Sequence, residues 1–392
     1  MPGSSDRLRT TVARLARLAG HVVVAVLCLE AAARIDDRLS YGAPLWGRYD
    51  ADRVRTRDEE GVPRNVPGAR FEKWRINPLG FRGEPVAAAP AAGRRRIACL
   101  GTSETFGLFE GEGGEWPARL GRLLRERRAD AEVVNAAVVG LNRGNRDRYF
   151  EKYVAPLRPD VVVLYLSVLS DASYRPDAPR PGAAPAPAAA GSWRERLPSS
   201  RVLPKLKQVI WGVVPAWVYG EYRAWSLARR LRRVEQDVLG GRAPADALPA
   251  GAVAPFEAHL RALVLAQRAR GIVPVLATYP TLGAGTGDAA DRALLLDERT
   301  YHPELTERGL VDASSRLNDA VRRVAAELAV PLADADAAVP RTRAYFADYV
   351  HYTDAGAQRV AETVLETLAG HGLVDPAAAR VVPAGQRTGS DP

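Results

Sequence analysis

The chain has 392 residues, 47% of them hydrophobic, which suits one large α/β domain with an insertion better than two domains of equal size. The 55 Lys and Arg residues against 46 Asp and Glu give a net charge of +9, but the arginines are scattered and no basic motif is interleaved with aromatic residues, so we predict no nucleic-acid binding. The charge is also compatible with a basic face that lies toward an anionic membrane or glycan. With Cys28 and Cys99 as its only cysteines, the sequence indicates neither a disulfide framework nor a metal cluster, and we predict no cofactor.

Residues 1–38 combine a basic stretch with an apolar one. Four arginines between residues 7 and 17 precede the apolar run 18–29, which only His21 interrupts, and Glu30 follows. The run is short for a membrane span of ~20 residues, but counting on to Ala33 brings it close. We therefore predict a signal anchor that keeps the N-terminus inside and the domain that follows it outside the cytoplasm. The alternative is an amphipathic helix packed on a cytoplasmic domain.

Residues 39–93 form a polar, loop-rich leader that contains the sequence INPLGFRGE. Its glycines permit tight turns, and Phe81 and Arg82 can dock on the edge of the following domain. The leader offers no candidate nucleophile or base, so we predict a structural role for it.

The stretch 94–107, RRRIACLGTSETFG, joins a short apolar strand to a turn of small residues. Residues 97–100 are continuously apolar and bounded by arginines and Gly101, as in a buried strand. A helix is predicted over 115–128. Ser103 then lies at the carboxyl end of a strand, where open α/β sheets place their active sites. The alternative is a serine that only caps a helix.

Strand and helix patterns alternate through the rest of the chain. Predicted strands cover 133–134, 160–166, 272–278 and 330–333, and predicted helices cover 143–157, 255–270, 317–329 and 354–368. This order predicts a three-layer α/β fold over residues 94–374, with a parallel sheet covered by helices on both faces. The Pro-, Gly- and Arg-rich tail 375–392 is predicted to be disordered.

An insertion at 172–251 interrupts this alternation. Residues 176–191 are rich in Pro and Ala and predict a linker without regular structure. The following stretch, 192–239, holds four of the seven tryptophans beside several basic residues. This composition favours either a lid over the site or membrane-interface helices. A helical hairpin that buries its aromatic side chains against the main domain is the plainer alternative.

The segment 345–356, YFADYVHYTDAG, contains a second candidate group. Asp348 and His351 are three residues apart, so the carboxylate can hold one imidazole nitrogen while the other faces a serine brought in by the fold. Of the other four histidines, His21 lies in the N-terminal apolar stretch, and His259, His302 and His371 lack an acidic neighbour in a comparable context.

These two segments resemble the first and last blocks of the SGNH, or GDSL-type, hydrolase family, written GDSxTxG and DxxH. Thr353 and Gly356 match the usual tail after the histidine. In the leader, Asn77 and the residues GFRG at 80–83 resemble an NxxGFRG element that precedes the catalytic domain in many membrane-tethered members. The resemblance implies a flavodoxin-like sheet and an apolar N-terminal anchor.

The resemblance also implies roles for the candidate residues. Ser103 corresponds to the nucleophile, His351 to the general base and Asp348 to the group that orients and charges the imidazole. The same triad serves esterases and O-acyltransferases, so the acceptor of the acyl group stays open.

The oxyanion-binding groups follow the family less closely. Gly140 stands where the family carries its second glycine, whose backbone N–H can approach a developing oxyanion together with that of Ser103. After the strand 160–166 the family places a donating asparagine, but this chain has SVLSD, with Ser170 in its place. Losing one such donor costs ~10²–10³ in rate, so either Ser170 or the nearby Asn142 substitutes, or the enzyme is slow or inactive.

We therefore predict a serine-dependent acyl-ester hydrolase or O-acyltransferase that acts on an acylated glycan, lipid or small molecule. The alternative is a catalytically impaired SGNH-like binding or scaffold protein of cell-envelope polysaccharide assembly. Retention of both Asp348 and His351 favours catalysis, because a decayed site need keep neither.

Overall fold

A computed structural model describes residues 4–47, 49–169, 200–213, 216–284 and 289–374. Its centre is a parallel sheet of five strands, β5 (Arg95–Leu100), β6 (Ala131–Asn135), β7 (Val161–Tyr165), β8 (Val273–Ala277) and β9 (Leu332–Ala333). They lie in the order β6-β5-β7-β8-β9, and every pair of neighbours is parallel. This order reverses direction at β5, as in flavodoxin-like sheets.

The sheet is buried because its strands are largely apolar on both faces. All five residues of β7 are buried, and Ile97 of β5 pairs with Val133 on one side and Val161 on the other. Such continuous apolar runs are typical of parallel strands covered by helices on both sides. The predicted three-layer α/β fold with a parallel sheet is thus confirmed.

Helices cover both faces of the sheet. In chain order the described helices are α1 (Ser4–Tyr41), α2 (Ser103–Phe106), α3 (Trp116–Glu126), α4 (Arg146–Tyr149), α5 (Val202–Val213), α6 (Ala216–Leu239), α7 (Val253–Ala269), α8 (Ala289–Arg299), α9 (Glu307–Glu327), α10 (Ala335–Ala338) and α11 (Asp354–Gly370). The helix α3 packs with α11 on one face, and α7 packs with α9 on the other.

Three of these helices differ from the sequence-based expectation, and one of them, α9, begins at Glu307 where the sequence predicts a start at Leu317. The helix predicted over 143–157 is α-helical only over Arg146–Tyr149 and continues as a π-helical and a 3₁₀ segment to Leu157. Pro156 lies within that 3₁₀ segment, where it removes a backbone donor. The helix α8, which packs against α6, has no counterpart among the predicted helices.

The N-terminal helix α1 does not bury its apolar stretch. Leu18, Val22 and Leu27 are each more than half exposed, and burial begins only near Ala33 and Arg34. Within the described part of the chain, one helix, over Val12–Tyr41, is long and apolar enough to cross a membrane. This exposure argues against an amphipathic helix packed along the domain.

The leader packs against the domain at the edge strand β6. It forms two small antiparallel hairpins, β1 (Arg55–Arg57) with β2 (Pro63–Asn65) and β3 (Arg70–Phe71) with β4 (Trp74–Arg75). Phe81 is 2% exposed and belongs to the main core. Arg82 forms a β-bridge with Asn135 at the end of β6, next to the edge of the sheet that carries the candidate site.

Only part of the insertion 172–251 lies within the described residues. Ser170, the predicted linker and the tail 375–392 fall outside them, whereas α5 and α6 lie inside. On α6 the side chains of Tyr222 and Trp225 are exposed, so these two aromatics are not buried against the domain.

Candidate active site

Ser103 begins the short helix α2, three residues after β5 ends. The turn needs a glycine at Gly101, because a Cβ there would lie 2.1 Å from Thr105 Oγ1 and 3.1 Å from the Tyr165 carbonyl oxygen. The N-cap position of α2 is held by Thr102, so the alternative that Ser103 is the capping residue does not hold. Ser103 is partly exposed at the carboxyl edge of the sheet.

Asp348 and His351 contact each other directly. His351 Nδ1 lies 2.7 Å from Asp348 Oδ2, while Asp348 Oδ1 accepts hydrogen bonds from the backbone N–H groups of Val350 and His351 at 2.9 and 2.8 Å. The turn is closed by a hydrogen bond from the Ala347 N–H to the His351 carbonyl oxygen. One contact with the ring and two with backbone N–H groups therefore hold the carboxylate in place beside the imidazole.

The electrostatics favour a charged His351–Asp348 pair. Burial by itself would lower the pKa of His351, but the hydrogen bond to Asp348 and the surrounding carboxylates raise it to about 9. Burial would likewise raise the pKa of Asp348, yet the imidazole and the two backbone donors hold it below its usual value. The carboxylate thus stabilises the imidazolium form of His351.

The other ring nitrogen of His351 faces a carboxylate that the sequence pattern did not single out. His351 Nε2 lies 4.0 Å from Glu104 Oε1, and Glu104 is 3% exposed and accepts a hydrogen bond from the Tyr279 hydroxyl. Within the described part of the chain His351 Nε2 has no hydrogen-bond partner, so no hydrogen bond joins it to Ser103 here. Because Glu104 is adjacent to Ser103, this contact brings the serine turn to the histidine. A carboxylate beside the candidate serine was the available signal in the sequence.

Two more acidic side chains interact electrostatically with His351. Burial raises the pKa of Glu298, on α8, to about 7, and raises the pKa of Glu110 to about 7 as well. Glu298 also lies 3.5 Å from His302, which is buried and has Glu304 as a second acidic neighbour. The expectation that His302 lacks an acidic neighbour is therefore wrong, because Glu298, near the end of α8, lies four residues before His302 and contacts it.

Gly140 follows β6 and lies beside the serine turn. Its N–H donates to Thr102 Oγ1 at 3.3 Å, and its φ of +85° is a left-handed conformation that glycine adopts readily. A Cβ at this position would meet nothing within 4 Å, so the backbone conformation, not lack of room, requires glycine.

Asn142 is used within the same loop. Its side-chain amide donates to the Gly140 carbonyl oxygen at 3.2 Å, and its side-chain oxygen accepts from the Gly144 N–H at 3.0 Å. These bonds fix the loop that carries Gly140. Ser170, the other candidate donor, lies outside the described residues.

Arg82 of the leader stabilises the serine turn through hydrogen bonds to the end of α2. Its guanidinium is buried, donates to the carbonyl oxygens of Phe106 and Gly107 where α2 ends, and lies 3.4 Å from the buried carboxylate of Glu115. The loop that starts at Gly107 carries Phe109, whose ring centroid is 5.5 Å from that of His351. The leader therefore fixes the loop that covers the histidine.

A cavity of about 410 Å³ lies beside the loop that carries Asp348 and His351. Phe346 and Ala347 of that loop form part of its wall, and Gly220 and Arg223 of α6 also line it. The inserted helix thus contributes a wall next to the histidine loop. Among the described residues, no group of three or more His, Cys, Asp or Glu side chains is placed to hold a metal ion.

Comparison with known proteins gives one family match. The model of the GDSL-like Lipase/Acylhydrolase family matches residues 99–359. Among solved structures, a lipase/acylhydrolase from Enterococcus faecalis is 15% identical, over 71% of this chain and 96% of that one, with a TM-score of 0.40. A catalytic mutant of an acetylxylan esterase from Geobacillus stearothermophilus is 14% identical, over 71% of this chain and 96% of that one, also with a TM-score of 0.40. No curated protein sequence matches the chain significantly.

Proposed function

The chain belongs to the GDSL-like lipase/acylhydrolase family, and from this premise we propose that Ser103, His351 and Asp348 form the catalytic triad of an enzyme that acts on acyl esters. The 2.7 Å contact between His351 Nδ1 and Asp348 Oδ2 carries the proposal, because it leaves Nε2 as the nitrogen turned toward the serine turn.

In the first step Ser103 Oγ attacks the ester carbonyl carbon while His351 Nε2 takes its proton. Asp348 stabilises the imidazolium that forms. The backbone N–H groups of Ser103 and Gly140 bind the oxyanion, and the Gly140 N–H exchanges its contact with Thr102 for the stronger charged acceptor. Collapse of the intermediate returns the proton from His351 to the departing alcohol and leaves an acyl group on Ser103.

In the second step an acceptor hydroxyl attacks the acyl-serine, with His351 again as the base. Water as acceptor gives hydrolysis and a sugar or lipid hydroxyl gives acyl transfer, because the same triad serves both. The substrate class we propose is an acylated glycan, lipid or small molecule.

The proposed position of the enzyme rests on α1. We propose that residues 18–33 span a membrane, with the arginines before them inside and the catalytic domain outside the cytoplasm. The exposure of the apolar stretch supports this arrangement, since a helix that is apolar and unburied needs another apolar environment.

A fluorophosphonate probe tests the chemistry directly. The purified protein should be labelled, Ser103→Ala should not, and Ser226→Ala, which changes an exposed serine of α6, should be labelled like the parent. A parent protein that takes up no label, or a Ser103→Ala variant that still does, would instead support a non-catalytic binding or scaffold protein.

A further inference from the structure

The inserted helix α5 carries an apolar face that the described part of the chain leaves uncovered. Leu203, Val209 and Val213 are 66%, 62% and 78% exposed, and Leu206 and Ile210 are also exposed. At about 100° per residue these five side chains fall within an arc of roughly 120°. Two lysines, Lys205 and Lys207, border that arc on its two sides. An apolar stripe with flanking lysines is the pattern of a helix that lies at a membrane interface.

The start of α5 is fixed to α1 by Glu30. The Glu30 carboxylate accepts hydrogen bonds from the backbone N–H groups of Arg201 and Val202, at 3.0 to 3.3 Å, and from Ser200 Oγ at 3.0 Å. It also pairs with Arg34 at 2.7 Å. The first N–H groups of a helix have no acceptor within the helix, so a carboxylate there is stabilising.

A second set of polar contacts continues along α1. The buried Arg201 lies 3.4 Å from Asp37 and packs its guanidinium 4.8 Å from the ring centroid of Tyr49. Lys205 pairs with Asp37 at 2.9 Å and with Asp36. Therefore α5 crosses α1 between residues 30 and 37, immediately beyond the apolar run 18–29.

We infer that α5 is a membrane-interface helix. It lies on the outer surface of the bilayer that α1 spans, with its five apolar side chains in the acyl region and Lys205 and Lys207 at the headgroups. The end of the apolar run in α1 sets the depth of the interface, and the Glu30 contacts hold α5 at that depth. A helix of 12 residues is too short to span the bilayer itself.

This inference rests on the proposed anchoring by α1 and adds a second contact with the bilayer. The next helix, α6, begins three residues after α5 ends, and its Gly220 and Arg223 line the cavity beside the histidine loop. The membrane-bound helix therefore leads into a wall of that cavity, which favours acylated substrates presented at the membrane surface.

Depth-dependent fluorescence quenching tests the placement of α5 in the full chain. In a Cys28→Ala background, where the remaining Cys99 is buried, a fluorophore is attached to Val22→Cys, Leu206→Cys or Arg229→Cys. The variants are reconstituted into phosphatidylcholine and phosphatidylglycerol vesicles with spin labels either near the headgroup or deep in the acyl chain. Position 229, exposed on α6, serves as the water-facing control.

We expect position 206 to be quenched mainly by the shallow label, position 22 mainly by the deep label and position 229 by neither. The emission at position 206 should also move to the blue relative to position 229. Quenching at position 206 that is about twofold or more above that at position 229 would support the inference. An interfacial helix buries its apolar face about 5–10 Å into the boundary between headgroups and acyl chains, within reach of the shallow label.

Two results would overturn the inference while the anchor stands. In the first, the fluorophore at position 22 is quenched, but the fluorophore at position 206 is quenched no more than the one at position 229. In the second, Leu206→Cys forms a crosslink between two chains and its fluorophore is not quenched. The apolar face of α5 would then be covered by a second copy of the protein. An unquenched position 22 would overturn the anchor and the inference together. Fluorophosphonate labelling of Ser103 in the same vesicles tests the proposed chemistry separately.

Discussion

Glu104→Gln should move the pH dependence of the reaction toward acid, because it removes a buried negative charge next to the proposed base. Neighbouring carboxylates raise the pKa of His351 to about 9, so its imidazole is protonated at neutral pH and accepts a proton from Ser103 only as the pH rises. The acidic groups that interact electrostatically with His351 are Asp348 on its own loop, Glu104 on α2, Glu298 on α8 and Glu110.

The size of the effect follows from the distance between the charges. Two unit charges 4.0 Å apart, as at His351 Nε2 and Glu104 Oε1, interact by about 1 kcal/mol in water and by about 4 kcal/mol at the effective dielectric of a protein surface. Since one pH unit corresponds to about 1.4 kcal/mol, the pKa of His351 should fall by about one to three pH units. At a pH below that pKa, the rate should rise by up to about tenfold for each pH unit by which the pKa falls.

The assay is the pH profile of kcat/KM on a short-chain acyl ester. Its acid limb reports the pKa of the essential base in the free enzyme. The control is Glu327→Gln, which neutralises an exposed carboxylate on α9 and should leave the limb in place. Glu298→Gln should move the limb in the same direction as Glu104→Gln, because the Glu298 charge also raises the pKa of His351.

An acid limb that stays at the parent position while the rate falls at every pH would refute this reasoning. Glu104 would then hold the shape of the serine turn through Tyr279 without setting the proton affinity of His351.

Three further predictions concern the triad, the oxyanion donors and the leader. Ser103→Ala and His351→Ala should each remove nearly all activity, and the double variant should be hardly worse, since the residues act as one unit; clearly additive losses in kcat/KM would contradict a common site. Ser170→Asn should leave turnover unchanged or raise it, because it supplies the donor that the family pattern expects; a large loss in kcat would give Ser170 a task of its own. Arg82→Ala should destabilise the protein by about 3–5 kcal/mol, since it leaves the buried Glu115 carboxylate unpaired, whereas Arg70→Ala, at an exposed position, should change the unfolding midpoint little.

The sequence predicts the sheet well because most residues of its strands are apolar. The strand predicted over 97–100 is observed as Arg95–Leu100, and the one predicted over 272–278 is observed as Val273–Ala277. Parallel strands buried on both faces need no partner information to be found. The start of α9 at Glu307, ten residues before the predicted start at Leu317, is not evident from the sequence because the first half of the helix carries more polar residues.

The contact between Asp348 and His351 could also be predicted, because both residues lie in one short turn. Spacing within such a turn restricts the distance between two side chains, whatever the rest of the fold does. By contrast, the roles of Arg82 and α5 depend on residues far away in the chain. Arg82 contacts the turn after Phe106, and α5 depends on Glu30, which is 171 residues before Arg201.

The sequence by itself therefore determined the fold class, the two segments that carry the candidate triad and the apolar N-terminal helix. Only the tertiary structure decided that Glu104 faces the open nitrogen of His351, that the leader supports the serine turn, and that Glu30 holds an inserted helix at the end of α1. The physical reason is the distance along the chain over which each interaction acts. Hydrophobic periodicity and turn spacing act over a few residues, whereas buried charges find their partners only where the folded chain brings distant segments together.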